Sequence, residues 1–261
     1  MIESITILGG HGRDGTPEPV DRIDLRMGDV VSVVGPTGSG KTTLINDLEL
    51  FAHANTPTGR KVLINGKRPP VEYRDDPAHN PIALITQHTS FLSDLPVGEF
   101  LTTHARIRSS DHRAVEDAIE RTLAFANQLT GEPVATETRM TELSGGQTRA
   151  LLIADAAIIC NTPIVLLDEV ENAGIHRTRA LELLRQHRKI FIFVTHDPRI
   201  ALLSDFRIVM QGGRVTRLLQ TDDVEKRLSI KVSKLDDALS RLREKLRQGL
   251  QLSEHELEEV A

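Results

Sequence analysis

The chain has 261 residues, of which 39% are hydrophobic and only 3% aromatic, and 32 Lys and Arg stand against 37 Asp and Glu. This length suits one large α/β domain with a lobe and a tail, and the net charge of −5 argues against a chain-wide nucleic-acid-binding surface. The single cysteine, Cys160, excludes a disulfide framework and a metal site built on cysteines, and it favours a reducing cytosol. No stretch approaches the ~18 uninterrupted apolar residues of a membrane helix, and the N-terminus does not have a signal-peptide pattern. We therefore expect a cytoplasmic protein with no membrane span of its own.

Buried apolar runs alternate with stretches of helical period along the chain, which predicts an α/β fold with a mostly parallel sheet between helices. The predicted strands are residues 2–8, 22–27, 30–34, 61–66, 82–86, 164–168 and 190–194, followed by a closing hairpin of 206–210 and 214–219. The predicted helices run from about 41 to 51, within 96–130, after residue 147 and near 175–188. Asp111 is a plausible N-cap for the helix within 96–130.

The tail from about Asp222 changes character. Its apolar residues are spaced 4-3-4-3-4 with mixed charges between them: Leu228, Val232, Leu235, Leu239, Leu242 and Leu246. The spacing fits either a coiled-coil seam or an amphipathic helix that docks on its own domain. Because fewer than three heptads are sustained, docking is the favoured interpretation. Ser253 and Glu256 form a possible capping box for a last short helix.

The stretch "GPTGSGKTT" is a complete phosphate-binding loop between a buried strand and a helix, as the mechanism requires. The glycines let the backbone wrap closely around phosphates, Lys41 is expected to reach the β- and γ-phosphates, and the Thr42 hydroxyl is expected to ligate Mg²⁺. The predicted nucleotide-binding residues of this loop are Gly35, Pro36, Thr37, Gly38, Ser39, Gly40, Lys41, Thr42 and Thr43.

A second glycine-rich stretch, "GHGRDG" at residues 10–15, matches the dinucleotide fingerprint only in its letters. It is followed by "TPEPV" rather than by a helix, so no helix N-terminus is available for a pyrophosphate. We reject it as a dinucleotide site and interpret it as a loop.

Polar side chains follow three buried strands. Asp168 and Glu169 end the strand "IVLLD", His196 follows "IFIFV" and Gln87 follows "IALIT". Because parallel strands end at the same edge of a sheet, these residues are expected near Lys41. Asp168 and Gln87 are the predicted Mg²⁺ contacts. Glu169 is the predicted base or water orienter, and His196 and Gln87 are expected to contact the γ-phosphate or the attacking water.

The turn "LSGGQ" offers a second helix N-terminus for an anion, through Ser144, Gly145 and Gly146. In the order phosphate loop, Gln87, "LSGGQ", "LLDE" and "TH", the chain resembles the nucleotide-binding domain of the ATP-binding cassette (ABC) superfamily over roughly residues 1–220. The resemblance implies a P-loop NTPase of ABC type: a mostly parallel sheet flanked by helices, an N-terminal antiparallel β part, a helical lobe at about 94–140 and a helical tail. We expect an ATPase domain at 1–221 and the tail at 222–261.

The resemblance also implies why one chain carries two phosphate-binding helix ends. In the family, two domains pair head to tail, and each ATP is held between one phosphate loop and the partner's signature turn. Ser144, Gly146 and Gln147 are then expected to contact the γ-phosphate bound to the other copy. The implied protein is a Mg²⁺-dependent ATP hydrolase that forms a symmetric homodimer around ATP.

Three features depart from the family pattern. No aromatic residue precedes the phosphate loop to stack on adenine, so either His11 or Arg13 stacks instead or the adenine is loosely held. The loop after Glu169 reads Val170 to Ile175 without the family's usual aspartate. Asp155 stands where the family commonly has arginine.

Two functions are compatible with these motifs. The first is the ATP-binding subunit of a transporter, located on the inner face of the membrane through separate permease subunits. It is preferred only by analogy, because most simple cassette proteins of this size resemble such subunits. Its docking residues would be Phe91, Leu92, Leu95 and Phe100, which could equally be core of the lobe. The alternative is a soluble ATPase that remodels a protein or metalloenzyme complex, which the altered loop and the heptad tail favour. Nucleic acid is not an expected partner.

Overall fold

The computed structural model describes residues 1–76, 79–86, 88–168 and 177–252. In these ranges the strands are β1 Ser4–Leu8, β2 Arg22–Arg26, β3 Val30–Val34, β4 Lys61–Ile64, β5 Ile82–Ile85, β6 Ile164–Asp168, β7 Ile190–Val194, β8 Phe206–Gln211 and β9 Arg214–Gln220. The helices are α1 Lys41–Glu49, α2 Glu72–Asp75, α3 Val97–Arg108, α4 His112–Leu129, α5 Gly145–Ala157, α6 Arg177–Gln186, α7 Pro198–Leu203 and α8 Asp223–Arg247. A 3₁₀ turn at Met140–Glu142 precedes α5.

The strands form two sheets. The smaller sheet is antiparallel, in the order β2-β1-β4, and the larger has the order β5-β6-β7-β3-β8-β9. In the larger sheet all neighbouring strands are parallel except β8 and β9. The predicted mostly parallel sheet, the antiparallel N-terminal part and the closing hairpin are confirmed.

The central strands are apolar throughout because both of their faces are covered. In β7, Phe191 and Phe193 belong to a core shared with α3, α4 and α5. The alternate residues Ile190, Ile192 and Val194 belong to a second core shared with α1 and the small sheet. The large sheet is therefore the middle layer, and α1 and the helical lobe lie on opposite faces of it.

Two element ends differ from prediction for backbone reasons. Helix α1 ends at Glu49 rather than near Phe51, because Phe51 has a left-handed φ of 48° that a helix cannot accommodate. Strand β4 ends at Ile64, where Asn65 and Gly66 both have positive φ and turn the chain. Asp111 caps α4 as predicted, since its side chain accepts a hydrogen bond from the Arg113 N–H.

Ion pairs link helix α8 to α7 and to β8. Arg199 of α7 lies 2.6 Å from Asp236, and Arg207 of β8 lies 2.6 Å from Glu225. The side chains of both arginines are about nine-tenths buried, at 11% and 10% exposure. The N-terminal half of the tail is thus held by charge pairing of partly buried groups.

The leucine seam of α8 is only partly covered by the domain, since Val232 and Leu242 are partly buried and its other four residues are exposed. Leu228, Leu235, Leu239 and Leu246 are between 46% and 59% exposed, whereas Ala238 is buried. The amphipathic periodicity is present, but most of its apolar stripe is exposed in this chain. The possible capping box at Ser253 and Glu256 lies outside the described residues. Among the helices of the described ranges, none is both long and apolar enough to cross a membrane.

Candidate nucleotide-binding site

The phosphate loop lies between β3 and α1. Gly40 precedes α1 with a left-handed φ of 100°, and no side chain in the described part of the chain caps this helix. The first N–H groups of α1 are consequently directed into the loop, where an anion would be stabilised by them and by the helix dipole.

The phosphate loop packs closely against the β8–β9 hairpin, and this packing explains why positions 35 and 40 are glycines. A Cβ atom on Gly35, whose φ is 154°, would lie 2.3 Å from the Met210 carbonyl oxygen. A Cβ on Gly40 would lie 2.9 Å from the Gly213 Cα. Both neighbours are backbone atoms that cannot move away, so these positions accept only glycine. Gly38 has a φ of +77° and open space around it, so backbone conformation alone favours glycine there.

Polar atoms of the loop fit a phosphate ligand. The Lys41 ammonium is buried at 7% exposure and donates to the carbonyl oxygens of Gly35 (2.9 Å) and Pro36 (3.2 Å). The Ser39 Oγ is buried without a hydrogen-bond partner among the described residues. Thr42 is exposed at the start of α1, where its hydroxyl is accessible to a metal ion. A buried unpaired hydroxyl beside a lysine is the environment that a phosphate oxygen would satisfy.

Strand register brings two other predicted residues to the same edge of the sheet. Asp168 lies opposite Val194 of β7, which in turn lies opposite Val33 of β3. His196 follows Val194 by two residues and Gly35 follows the paired Val33 by two residues, so Asp168, His196 and the phosphate loop all leave the sheet at its carboxyl edge. The predicted catalytic residues Gln87 and Glu169 and the altered loop at 170–175 lie outside the described residues.

The signature turn forms a well-built helix start in a different part of the fold. The Ser144 N–H donates to the Gln147 Oε1 (3.0 Å), and the Gln147 N–H donates to the Ser144 Oγ (3.3 Å). The Gln147 amide nitrogen also donates to the Pro133 carbonyl (3.1 Å). Ser144 and Gly145 are exposed. The turn is held by the lobe, whereas the phosphate loop is held by the β8–β9 hairpin.

A buried ionic network behind the phosphate loop was not foreseen from the sequence. The Arg60 side chain, with no exposed surface, pairs with Glu18 at 2.6 Å and with Asp47 of α1 at 2.8 Å. Arg60 also donates to the Gly213 carbonyl (3.0 Å). These residues are 42 and 13 positions from Arg60 in sequence, and no motif links them.

The network connects the loop of residues 10–18 to the phosphate loop. Glu18 accepts hydrogen bonds from the N–H groups of Gly10 (2.9 Å) and Val215 (2.6 Å). Burial raises the pKa of Glu18, but the hydrogen bonds from Arg60 and these backbone groups outweigh burial, and the net pKa lies below its usual value. The Gly213 N–H in turn donates to the Ser39 carbonyl (2.9 Å). The network thus fixes the hairpin against which the phosphate loop packs.

The two candidates for adenine stacking lie in the loop of residues 10–15. The His11 side chain is exposed, and Arg13 lies beside Gly213, where an added Cβ would be 3.2 Å from the Arg13 Cγ. Since Gly213 also contacts the phosphate loop, His11 and Arg13 are on the same side of the domain as that loop. The loop leads into β2 rather than into a helix, which is consistent with rejecting it as a dinucleotide fingerprint.

Sequence comparison identifies the family. The chain matches the ABC transporter family over residues 21–172. An uncharacterised ABC transporter ATP-binding protein of Methanocaldococcus jannaschii is 44% identical over 256 residues, which cover 98% of this chain and 97% of that protein. A spermidine/putrescine import ATP-binding protein, PotA of Bacteroides fragilis, is 29% identical over 231 residues, which cover 84% of this chain but 48% of that protein.

Solved structures share the fold. The chain is similar to cbiO1 from Clostridium perfringens, part of the ABC transporter complex cbiONQ, with a TM-score of 0.67 and 19% identity over 95% of this chain and 100% of that one. It is also similar to a dimeric ATP-binding cassette in a post-hydrolysis state bound to ADP and Pi, with a TM-score of 0.62 and 20% identity over 84% of this chain and 99% of that one. Identities this low establish the fold alone. Together with the motif geometry and the nearly full-length relative, they lead to one conclusion: the chain belongs to the ABC transporter family of ATP-binding cassette proteins.

Proposed function

We propose that the chain is an ATP-hydrolysing subunit that pairs head to tail with a second copy around two ATP molecules. The main observation in support of this proposal is that the start of α5 is exposed to solvent. Ser144 and Gly145 face solvent there, although the helix already has its own capping box. An anion from outside the chain could therefore reach this helix end without disturbing the cap.

The capping geometry indicates which groups would contact the γ-phosphate. The Ser144 Oγ accepts from the Gln147 N–H, so its own hydroxyl proton remains to be donated. The amide of Gln147 is engaged in the cap and with the Pro133 carbonyl. We infer that Ser144 and the N–H groups of Gly145 and Gly146 provide the contact, and that Gln147 positions them rather than binding phosphate itself.

ATP and Mg²⁺ fit the residues of the phosphate loop and the sheet edge. Thr42, Asp168 and Gln87 would hold the ion, which when bound neutralises phosphate charge. Lys41 would hold the β- and γ-phosphates. Glu169 would accept the proton of the attacking water or orient that water, and His196 would contact the water or the γ-phosphate.

The head-to-tail arrangement predicts a specific defect in Gly146→Asp. With Glu169→Gln to slow hydrolysis, ATP and Mg²⁺ should convert the 28.9 kDa monomer to a dimer, and Gly146→Asp added to this background should abolish the conversion. An aspartate in the first turn of α5 stabilises the helix itself but places a carboxylate against the partner's γ-phosphate. Light scattering would measure the dimer, and nucleotide titration of the same samples would measure binding to each chain's own phosphate loop.

The control is His112→Asp, which adds a carboxylate to the first turn of α4, where the residue is exposed. This variant should dimerise like its parent. If Gly146→Asp dimerises normally, or if it loses ATP affinity as a monomer, the signature turn does not act on a partner's nucleotide and the proposal is wrong.

We further propose that the ATPase drives a separate membrane permease and is located at the inner face of the membrane through it. The support comes from the loop before α3 and from the transporter subunits to which the chain is related by sequence. Phe91 and Phe100 pack on each other at 5.0 Å as part of the lobe core. Leu92 is 100% exposed and Leu95 is 38% exposed. Leu92 and Leu95 are thus available to a partner, whereas the two phenylalanines have a structural role.

A soluble complex is the second candidate, and the exposed leucines of α8 favour it. An apolar stripe of four half-exposed leucines suits another protein better than it suits water. In this case the tail rather than the lobe would provide the docking surface.

Two substitutions separate the two candidates. For a permease partner, Leu92→Asp should release the protein from sedimented native membranes, because a charge cannot be buried at an apolar contact, and Leu235→Asp should leave it bound. Both leucines are exposed, so both variants should fold. Absence from membranes altogether, with recovery in a soluble complex that Leu235→Asp disrupts, would favour the second candidate. Release from membranes by Leu235→Asp alone would contradict docking through Leu92.

A further inference from the structure

A cluster of three metal-binding side chain types lies at the end of α5, away from the phosphate loop. His104 projects from α3, Asp155 from the last turn of α5, and Cys160 follows α5 by three residues. The His104 Nδ1 lies 3.0 Å from the Asp155 Oδ1, and its Nε2 lies 3.8 Å from the Cys160 Sγ. The Cys160 Sγ lies 3.6 Å from the Asp155 Oδ2.

Local backbone structure holds the cluster together. After α5 ends at Ala157, the Cys160 N–H donates to the Asp155 carbonyl (2.9 Å), which folds the thiol back beside the carboxylate of the same segment. His104 is fixed from the other side, where its ring contacts Phe100 at 5.8 Å. The three groups therefore have defined positions, one on α3, one in the last turn of α5 and one in the segment that follows α5.

The carboxylate of the cluster is largely shielded from water, so its charge must be compensated by a neighbouring group. The Asp155 side chain is only 10% exposed and is paired with His104. A carboxylate in this position requires a cation beside it.

Two of the separations between these side chains are close to those around a tetrahedral ion. Zinc–ligand lengths at a tetrahedral angle place nitrogen, sulfur and oxygen ligands about 3.4 to 3.6 Å from one another. The distance from His104 Nε2 to Cys160 Sγ, 3.8 Å, and the distance from Cys160 Sγ to Asp155 Oδ2, 3.6 Å, are of this size. The 3.0 Å contact joins the other ring nitrogen to the other carboxylate oxygen, and one donor atom from each residue can be chosen so that all three lie within 4.8 Å of one another. One sulfur, one nitrogen and one oxygen donor form a borderline-soft set that suits Zn²⁺ or Co²⁺ rather than Mg²⁺.

We propose that His104, Asp155 and Cys160 form a three-ligand site for one divalent cation of the zinc class, with its fourth position open to solvent. His104 is 25% exposed and Cys160 is partly exposed, so the open side faces outward. The ligands would bind as thiolate, carboxylate and neutral imidazole. The site is separate from the Mg²⁺ position proposed at the phosphate loop, whose proposed ligands are all oxygen atoms. Counting cysteines argued against a cysteine-based metal site, but a mixed site needs only one.

Cobalt provides a direct test because Cys160 is the only cysteine in the chain. Full-length protein, stripped with a chelator and kept reduced with a phosphine, would be titrated with Co²⁺ in the absence of nucleotide. We expect one equivalent to bind, with a near-ultraviolet thiolate-to-cobalt charge-transfer band and strong visible ligand-field bands of tetrahedral cobalt. Zn²⁺ should displace the cobalt and abolish both.

Ligand variants and a control make the assignment specific. Cys160→Ala should lose the charge-transfer band, and His104→Ala and Asp155→Asn should each bind Co²⁺ at least about tenfold more weakly. His79→Ala should bind normally. It removes an exposed histidine that lies 2.7 Å from the Asp76 carboxylate, a pair without a thiol.

Thermal denaturation provides a second measurement, which remains informative if one of the ligand variants folds poorly. Zn²⁺ should raise the midpoint of the wild type and of His79→Ala through binding to the native state, and should not raise that of Cys160→Ser. Cobalt bound without a charge-transfer band would overturn the proposal, as would binding that His79→Ala removes. So would an equal Zn²⁺ shift in the wild type and in Cys160→Ser.

Discussion

Glu169→Gln is expected to slow ATP turnover by about 10²- to 10⁴-fold, the usual loss when a general base is removed, while nucleotide affinity stays near that of the wild type. The glutamate directly follows Asp168, which ends β6 at the sheet edge shared with the phosphate loop. The amide is similar in shape to the carboxylate but cannot accept the proton of water. Phosphate release measures turnover, and titration with a fluorescent ATP analogue measures affinity.

Two further variants serve as comparisons for Glu169→Gln. Lys41→Ala should weaken nucleotide binding itself, because it removes a buried ammonium from the phosphate loop. Glu120→Gln, an exposed acid on α4, should change neither quantity. Turnover of Glu169→Gln at the wild-type rate would exclude Glu169 as the base and would leave His196 as the next residue to test.

Arg60→Met should lower the free energy of unfolding by about 3–5 kcal/mol, since it leaves the carboxylates of Glu18 and Asp47 buried without their cation. The Glu18 and Asp47 side chains are 1% and 2% exposed. The same change removes a hydrogen bond to Gly213, whose N–H holds the Ser39 carbonyl of the phosphate loop. We therefore expect weaker ATP binding as well as lower stability. Urea denaturation and nucleotide titration would measure the two effects.

The matched control is Arg22→Met, which breaks an ion pair of similar length on the surface. Arg22 lies 2.7 Å from Asp24, with side-chain exposures of 58% and 43%. Exposed pairs contribute no more than about 1 kcal/mol, so this variant should be nearly as stable as the wild type. If both variants lose the same free energy of unfolding, burial is not the reason that the Arg60 network stabilises the protein.

The same network predicts how stability depends on pH. The pKa of Glu18 in the folded state lies below its usual value of 4.5. A carboxyl group with a lowered pKa stabilises the fold above its unfolded pKa, and this contribution is lost as the pH falls below about 4.5 through the folded pKa. In Arg60→Met the main group that lowers the pKa is gone while burial still raises it. The acid-side loss of stability should therefore begin at a higher pH than in the wild type.

The motifs and the local structure around them could be predicted from the sequence alone. "GPTGSGKTT" requires a strand before it and a helix after it, and β3 and α1 supply them. Uninterrupted apolar runs such as "IFIFV" predicted strands buried on both faces, because each face meets a different core. These features are local in the sequence: backbone conformation, hydrophobic periodicity and helix-end polarity act over a few residues.

The tertiary structure decided the features that depend on distant residues. Arg60 meets Glu18 and Asp47, and His104 meets Asp155 and Cys160, only because the fold brings separate segments together. The sequence likewise did not determine what the leucine stripe of α8 contacts. Periodicity shows that a helix has an apolar face, but it does not show which surface covers that face. Here the ion pairs of Arg199 and Arg207 fixed the helix by its polar side and left the leucines exposed. Pairings of this kind depend on which segments the fold brings into contact, and a short window of sequence does not contain that information.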